Sequence, residues 1–222
     1  MSNQMYPWVD ETRNFIGGRC PHNCSYCYVP KLKSQIARKR YLPMTLFLIE
    51  KEFKKPMGSG KTIFIQSCGD SFANGVPDEW IDRILEFCGR YDNTYLFQTK
   101  NPERFWQFMN KFPKKSILGT TIETNKDFKI STAPKPIERY KAMLMLDKQF
   151  ETMVSIEPIM DFDVVELVSW IRQIHPKFVS IGADSKKSNL TEPNKEKIEF
   201  LLMELDKFTE VKIKENLKRL MI

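Results

Sequence analysis

The stretch GGRCPHNCSYCYVP, residues 17–30, places three of the chain's five cysteines within eight positions. Cys20, Cys24 and Cys27 follow a C-x3-C-x2-C spacing, and an aromatic residue, Tyr26, directly precedes the last cysteine. Under reducing conditions, clustered cysteines are more often metal ligands than disulfide partners. The stretch therefore predicts a metal-binding loop, and the elements that follow it indicate the fold that carries the loop.

The composition is that of a globular protein. Of the 222 residues, 41% are hydrophobic, which suffices for a sizeable core and is too much for a disordered polymer. No run of 18 or more apolar residues predicts a membrane span. Residues 1–15 lack a basic region followed by an apolar block, so they do not resemble a signal peptide. We therefore expect a cytoplasmic location without contact with a membrane.

The chain carries a basic excess, with 35 Lys and Arg against 28 Asp and Glu, a formal charge of +7. Such an excess favours contact with a polyanion through phosphate neutralisation, although a protein with a merely basic surface has the same composition. Part of the excess directly follows the cysteines, where it indicates an anionic substrate such as a nucleic acid. We call these five residues the basic segment: Lys31, Lys33, Arg38, Lys39 and Arg40.

Short apolar runs of β-forming residues alternate with helical patterns along the chain, which predicts parallel βαβ units. About seven units in one domain, residues 1–222, are too few for a full eight-unit barrel, which needs about 250 residues. We therefore predict an α/β fold, a partial (β/α) barrel of about six to seven parallel strands with the cysteine loop after the first strand. The expected strands are 14–18, 62–67, 94–99, 116–123, 152–157, 177–183 and 211–216. The expected helices are 77–89, 102–112, 136–148, 164–175 and 194–208.

Polar residues follow nearly every predicted strand. In a barrel these strand ends line one mouth, where active sites are built. A doubly wound sheet is the competing architecture, but its polar residues would gather at a single switch point. Each group alone also fits a helix cap or a solvated loop, and together they favour a functional mouth. The groups are Cys68-Gly69-Asp70, Thr99-Lys100, Glu123-Thr124-Asn125, Glu157, Asp184-Ser185 and Lys214-Glu215-Asn216.

Two kinds of metal site fit the cysteine loop. A structural zinc ion would need a fourth ligand, and His22 lies inside the motif, but only two residues from Cys20 and from Cys24. Three thiolates without a natural fourth ligand suit instead a [4Fe–4S] cluster with one open iron. Both interpretations remain open on the spacing alone.

The sequence C-P-H-N-C-S-Y-C, residues 20–27, resembles the cluster loop of the radical S-adenosylmethionine (SAM) superfamily, with Tyr26 at its aromatic position. Further blocks are similar to the phage-associated branch related to spore photoproduct lyase, over nearly the whole chain. They are IQSCGDSFANGVPDEW, FQTKNPERF, LGTTIETN, VSIEPIMDF and KENL.

The resemblance implies a mechanism. SAM would bind the open iron through its amino and carboxylate groups. Reductive cleavage would yield methionine and a 5′-deoxyadenosyl radical, which removes a hydrogen atom from a nucleic acid, a nucleotide or another substrate. The chemistry would belong to the cofactor, while the protein orients the reacting atoms. An electron donor such as flavodoxin or ferredoxin would reduce the cluster.

The resemblance also implies roles for single residues. Cys20, Cys24 and Cys27 would be the cluster ligands. Gly69-Asp70 would stand where the superfamily commonly has a Gly-Gly-Glu segment that contacts the SAM ammonium, and Cys-Gly-Asp departs from that pattern. The other implied contacts are Tyr26 with the adenine, Glu123 and Asn125 with the ribose, Lys100 with the SAM carboxylate or a substrate phosphate, and Glu157 with the sulfonium or the substrate.

The two remaining cysteines receive different interpretations. Cys68 ends a predicted strand near the mouth, where a thiol would donate a hydrogen atom to a product radical, so it is the candidate catalytic residue. A small buried residue is the alternative for an isolated cysteine. Cys88 lies on a helical pattern and is expected to pack in the core.

Two rival functions remain. A zinc-stabilised nucleic-acid-binding module would use the cysteine loop without catalysis. An activase that installs a radical in a partner protein would use the same cluster and SAM, and would bind that protein tightly without depending on nucleic acid.

Overall fold

The structure is a computed structural model that describes residues 6–146, 148–186 and 188–222. Strands and helices alternate through most of it, as the sequence predicts. The strands are β1 (Glu11–Arg13), β2 (Ile16–Gly17), β3 (Phe47–Leu48), β4 (Thr62–Ile65), β5 (Thr94–Thr99), β6 (Ser116–Thr121), β7 (Glu151–Ile156), β8 (Phe178–Ile181) and β9 (Glu210–Ile213). The α-helices are α1 (Gln35–Tyr41), α2 (Asp78–Gly89), α3 (Pro136–Leu144), α4 (Val164–Ile174) and α5 (Lys195–Asp206).

Seven of these strands form one parallel sheet in the order β1-β4-β5-β6-β7-β8-β9. Each strand pairs with the next one of the sheet along the chain, and the intervening helices cross over between them. This arrangement is a half-barrel, so the predicted partial (β/α) barrel is confirmed. It also places the carboxyl ends of all seven strands at one edge, because parallel strands end on the same side.

The first strand of the prediction, residues 14–18, is wrong. The sheet begins with Glu11–Arg13, whereas Ile16–Gly17 pairs antiparallel with Phe47–Leu48 in a separate two-stranded sheet. The side chain of Gln66 explains the change of partner. Its Oε1 accepts hydrogen bonds of 3.0 Å from the backbone N–H groups of Phe15 and Ile16, and its Nε2 donates to the carbonyl of Ile16.

Other elements also differ from the expectation. The last predicted strand, 211–216, ends at Ile213, and Glu215–Leu220 form a 3-10 helix. Residues 102–112 form a 3-10 helix, Pro102–Lys111, instead of an α-helix. The seven-residue helix α1 was not predicted, because its sequence QIARKRY has little apolar periodicity and suggests a solvated segment. Its N-cap, Ser34, accepts a hydrogen bond from the backbone N–H of Ala37, as capping serines commonly do.

The sheet buries different side chains on its two faces. Residues such as Ile63, Ile65 and Phe97 pack in the large core beneath the helices. Alternate residues on the inner face of the half-barrel form a second cluster, which the N-terminal segment covers. Its members are Tyr6, Val9, Phe64, Leu96, Ile117, Met153 and Phe178, with Trp8 packed against them. None of the helices described crosses a membrane, because none is long and apolar enough.

Candidate metal centre

The cysteine loop is fixed by its backbone at the carboxyl edge of the sheet. Gly18, which begins the loop, has a φ of 91°, and a Cβ atom there would lie 2.3 Å from the carbonyl oxygen of Thr45. Only glycine fits such a position. Farther along, Ser25 donates its backbone N–H to the carbonyl of Ile130 at 2.9 Å, and Thr132 donates to the carbonyl of His22 at 2.9 Å. The loop is therefore held between β3 and the segment after β6.

The three thiols of the loop are free and partly buried. Burial raises the pKa of Cys20 and of Cys27, and the other thiols of the loop raise it further. The three sulfurs therefore lie within electrostatic reach of one another. The backbone N–H groups of His22 and Val29 partly offset this rise in the pKa of Cys20 and Cys27. Three thiolates in one half-buried loop need cations beside them, which fits a thiolate-bound iron–sulfur cluster.

The fourth zinc ligand that the sequence offers, His22, has another partner in the structure. Within the part of the chain that the structure describes, no three His, Cys, Asp or Glu side chains converge closely enough to hold a single metal ion. His22 is also engaged elsewhere, since its Nε2 lies 2.8 Å from Oδ2 of Asp70.

Asp70 lies just after β4 and is buried beneath the loop. Its Oδ2 accepts hydrogen bonds from the hydroxyl of Thr99 at 2.9 Å and the backbone N–H of Lys100 at 2.8 Å, as well as contacting His22. Its Oδ1 accepts the backbone N–H of Phe72 at 2.9 Å. Burial alone would raise the pKa of Asp70, but His22 and these hydrogen bonds outweigh it and lower the pKa. The carboxylate thus joins the cysteine loop to the ends of β4 and β5.

A second buried carboxylate, Glu123, follows β6 and gathers three partners. Its Oε1 accepts hydrogen bonds from Nζ of Lys100 and from the hydroxyl of Tyr26, and its Oε2 accepts from Nη1 of Arg139 at 2.7 Å. Burial alone would raise the pKa of Glu123, but the charges of Lys100 and Arg139 hold it well below its ordinary value of 4.5. Glu123 thereby anchors Tyr26, the aromatic residue of the cysteine motif.

The other predicted cofactor contacts lie in different places. Gly69 precedes Asp70, and a Cβ atom there would lie 2.8 Å from Nε2 of Gln66. Asn125 contacts the start of α4, where its Nδ2 donates to Glu166 at 2.5 Å. Glu157, after β7, accepts from Nζ of Lys214 at 2.5 Å and from Nδ2 of Asn216 at 3.1 Å. The structure therefore groups Tyr26, Asp70, Lys100 and Glu123 around the loop, while Glu157 belongs to the β7–β9 side and Asn125 to the α4 terminus. The role of each residue toward SAM stays a prediction.

Cys68 lies beside the cysteine loop. Its sulfur is 3.7 Å from the hydroxyl of Tyr28 and packs among the side chains that surround Cys27. Burial raises the pKa of Tyr41 to about 12, and the neighbouring Cys68 adds to this rise more weakly. Cys88 is fully buried in the large core, as expected. The structure thus places Cys68 between two tyrosines next to the candidate metal centre, and its role as a hydrogen-atom donor stays a prediction.

Sequence reasoning missed two residues that organise this site, Arg139 and Gln66. Arg139 is almost completely buried and also donates to the carbonyl of Thr121 at 2.8 Å. In the sequence it is one charged residue of an amphipathic helix, so nothing distinguishes it from solvated neighbours. Gln66 has a φ of 67°, which is unusual for a residue other than glycine, and the sequence carries no sign of it.

A protein-family model described as "Protein of unknown function (DUF5131)" matches residues 3–187. A search of curated proteins finds no match.

Solved structures show similar folds at low sequence identity. A spore photoproduct lyase mutant with bound AdoMet and dinucleoside spore photoproduct superposes with a TM-score of 0.67 at 11% identity, over 93% of this chain and 76% of that one. SuiB of Streptococcus suis bound to S-adenosylmethionine gives 0.57 at 10% identity, over 93% of this chain and 50% of SuiB. SuiB bound to its precursor peptide SuiA gives 0.63 at 11% identity, over 93% and 49%. At such identities the likeness shows a shared fold.

Proposed function

The chain belongs to the DUF5131 family of proteins of unknown function, and we propose that it is a radical SAM enzyme that carries a [4Fe–4S] cluster. One observation carries the proposal: three clustered thiols stand at the carboxyl edge of a half-barrel, and the histidine of their motif contacts Asp70. The fold shared with structures that hold AdoMet supports it.

Cys20, Cys24 and Cys27 would hold the cluster, each through one iron. When bound together with SAM, the cluster would supply the radical chemistry that removes a hydrogen atom from the substrate. The chain's own residues orient the cofactors and exclude side reactions. Tyr26 is one of these residues. Its hydrogen bond to the buried carboxylate of Glu123 fixes its position in the loop between Cys24 and Cys27.

The residues predicted to contact SAM differ in how firmly other protein groups already hold them. Lys100 lies at the loop, where its charge offsets part of the rise that burial causes in the pKa of Cys27, but its ammonium is already paired with Glu123. Asp70 has four protein partners, three on Oδ2 and one on Oδ1, so the protein holds its carboxylate in place while Oδ1 keeps one acceptor site. We therefore assign Asp70 a positioning role, in which it fixes the loop, and Lys100 the role of a charge near SAM.

We further propose that the substrate is a nucleic acid or a nucleotide, so that the enzyme is a lyase or a modification enzyme of such molecules. The basic segment supports this substrate, since its Lys33, Arg38 and Lys39 are exposed and have no ion pair among the described residues. It directly follows the cysteine loop. The dinucleoside ligand of the spore photoproduct lyase structure points to the same class of substrate. Cys68 would return a hydrogen atom to the product radical.

Deuterium transfer tests the proposal. Reconstituted and reduced protein would be incubated with SAM and with deuterated DNA, RNA or nucleotides, and the mass of the 5′-deoxyadenosine formed would be measured. Incorporation from one of these substrates supports the assignment. Formation of unlabelled 5′-deoxyadenosine with all of them would contradict a nucleic-acid substrate and leave the SAM chemistry in place. Incorporation from a protein would favour the activase.

A further inference from the structure

A cleft of about 320 Å³ lies on the open flank of the half-barrel, between the last two strands of the sheet and the N-terminal segment. Its lining consists of Pro7, Trp8, Ser180, Lys212, Ile213 and Lys214.

The polar groups of this cleft are hydrogen-bond donors. The hydroxyl of Ser180 and Nε1 of Trp8 are buried and have no hydrogen-bond partner in the described ranges of the chain. A buried polar group without a partner costs free energy, so a ligand that accepts a hydrogen bond would be stabilised there. An indole N–H only donates, which excludes a cation or another donor as its partner.

Two ammonium groups add positive charge. Nζ of Lys212 donates to Glu210 at 2.7 Å, but the Glu210 side chain is 58% exposed, and such a surface pair is weak. Nζ of Lys214 contacts Glu157 at 2.5 Å. Each ammonium has three donors, so both lysines keep donors for a ligand. No carboxylate lines the cleft itself.

We propose that this cleft binds the phosphate group of the substrate through Ser180, Trp8, Lys212 and Lys214. The proposal rests on the proposed function. Four donor side chains, two of them lysines that are each paired with one carboxylate, match a phosphate, which offers several anionic oxygens, better than a carboxylate with two. Lysine binds phosphate as a point charge, which suits this arrangement.

Lys214 links the cleft to the carboxyl edge of the sheet, where the candidate metal centre lies. That residue both lines the cleft and pairs with Glu157, which follows β7 at the carboxyl edge. Its Nζ lies 4.4 Å from the ring centroid of Tyr6, which helps to fix the side chain. A phosphate held here would direct the rest of the substrate toward the carboxyl edge of the sheet, where Lys214 contacts Glu157.

Titration calorimetry on the full chain without cluster or SAM tests the proposal. The probes are inorganic phosphate, a nucleoside 5′-monophosphate, a dinucleoside monophosphate and acetate. We expect the phosphate-bearing probes to bind and acetate not to bind. Tighter binding of the monophosphate would identify a free nucleotide as the source of the phosphate, and tighter binding of the dinucleoside monophosphate would identify a phosphodiester.

Two variants locate the site. Ser180→Ala removes a hydroxyl that has no protein partner, so the fold should persist, and Lys212→Gln removes one charge. Each should weaken binding of the phosphate probes by about tenfold or more, as expected for a hydrogen bond to a charged group. Lys207→Gln removes the same charge from an exposed pair with Glu204 outside the cleft and should change affinity less than about twofold.

The proposal is overturned if no phosphate probe binds, if acetate binds as tightly, or if Ser180→Ala and Lys212→Gln bind like the parent. These titrations need neither cluster nor SAM, so they test the cleft independently of the proposed function. Phosphate binding without SAM cleavage would contradict the radical SAM assignment alone. SAM cleavage without phosphate binding would contradict the cleft alone.

Discussion

Nε2 of His22 lies 2.8 Å from Oδ2 of Asp70, and this contact joins the cysteine loop to the carboxyl end of β4. Both side chains are buried. The histidine that made a Cys3His zinc site attractive is therefore part of the scaffold beneath the loop. The carboxylate expected to face SAM is held by the same contact. A sequence motif and a strand end, 48 residues apart, thus form one structural unit.

Replacing any one of Cys20, Cys24 and Cys27 by Ala should abolish iron binding and SAM cleavage, because each thiolate would hold a different iron of the cluster. Cys68→Ala and Cys88→Ala are the matched controls, since they remove a thiol outside the loop, and both should retain iron. The measurement is iron and sulfide content after anaerobic reconstitution. Equal iron loss in the control variants would contradict the assignment of ligands.

His22→Ala should retain iron and lower the free energy of unfolding by about 1–3 kcal/mol, because it removes a partner of the buried Asp70 carboxylate. Asp70→Asn should likewise destabilise the protein, while the affinity for SAM changes less than tenfold. Denaturant unfolding and SAM titration measure the two effects. Loss of metal in His22→Ala would favour zinc. A ten- to hundredfold loss of SAM affinity at unchanged stability would show instead that Asp70 contacts the SAM ammonium.

The low pKa of Glu123 predicts a loss of stability in acid. A carboxyl whose folded pKa is depressed stabilises the protein above its unfolded pKa, and that contribution is lost as the pH falls through the folded pKa. The free energy of unfolding should therefore fall as the pH drops below about 4.5. Glu123→Gln should reduce the slope of the unfolding free energy against pH by about 1.4 kcal/mol per pH unit, because one fewer proton is taken up on unfolding. An unchanged slope would contradict the buried ion pairs of Glu123.

The basic segment predicts salt-dependent binding of nucleic acid. Changing Lys33, Arg38 and Lys39 to Gln should weaken binding and flatten its salt dependence by about 0.7–0.9 log units for each lost phosphate contact. SAM cleavage without substrate should survive, because the loop is untouched. Fluorescence anisotropy over a range of salt concentrations measures this. Parent protein that binds no nucleic acid at moderate salt would contradict the prediction.

The sequence predicts the half-barrel because alternating strand and helix patterns are local signals. Strand β5, residues 94–99, has the predicted bounds, since a run of apolar and β-branched residues is closed by Thr99-Lys100. The first strand was misplaced by three residues because Gln66, which redirects the chain at Phe15 and Ile16, acts across about 50 positions. No local pattern announces such a contact.

The candidate site, like the fold, is predictable from the sequence only in part. Spacing and strand ends point to Cys20, Asp70 and Glu123, because parallel strands bring their carboxyl ends to one edge. The hydrogen bonds and ion pairs among these residues were not predictable, because they depend on the positions of the side chains in the folded protein. Arg139, which closes the ion pairs around Glu123, lies in a helix whose sequence carries other charges. Its burial follows only from the packing of α3 against the sheet.

The most direct test is anaerobic reconstitution of the parent protein with iron and sulfide, followed by reduction in the presence of SAM. We predict a brown protein with about four irons per chain, which converts SAM into 5′-deoxyadenosine and methionine. A colourless protein that holds one zinc ion and forms no 5′-deoxyadenosine would contradict the account.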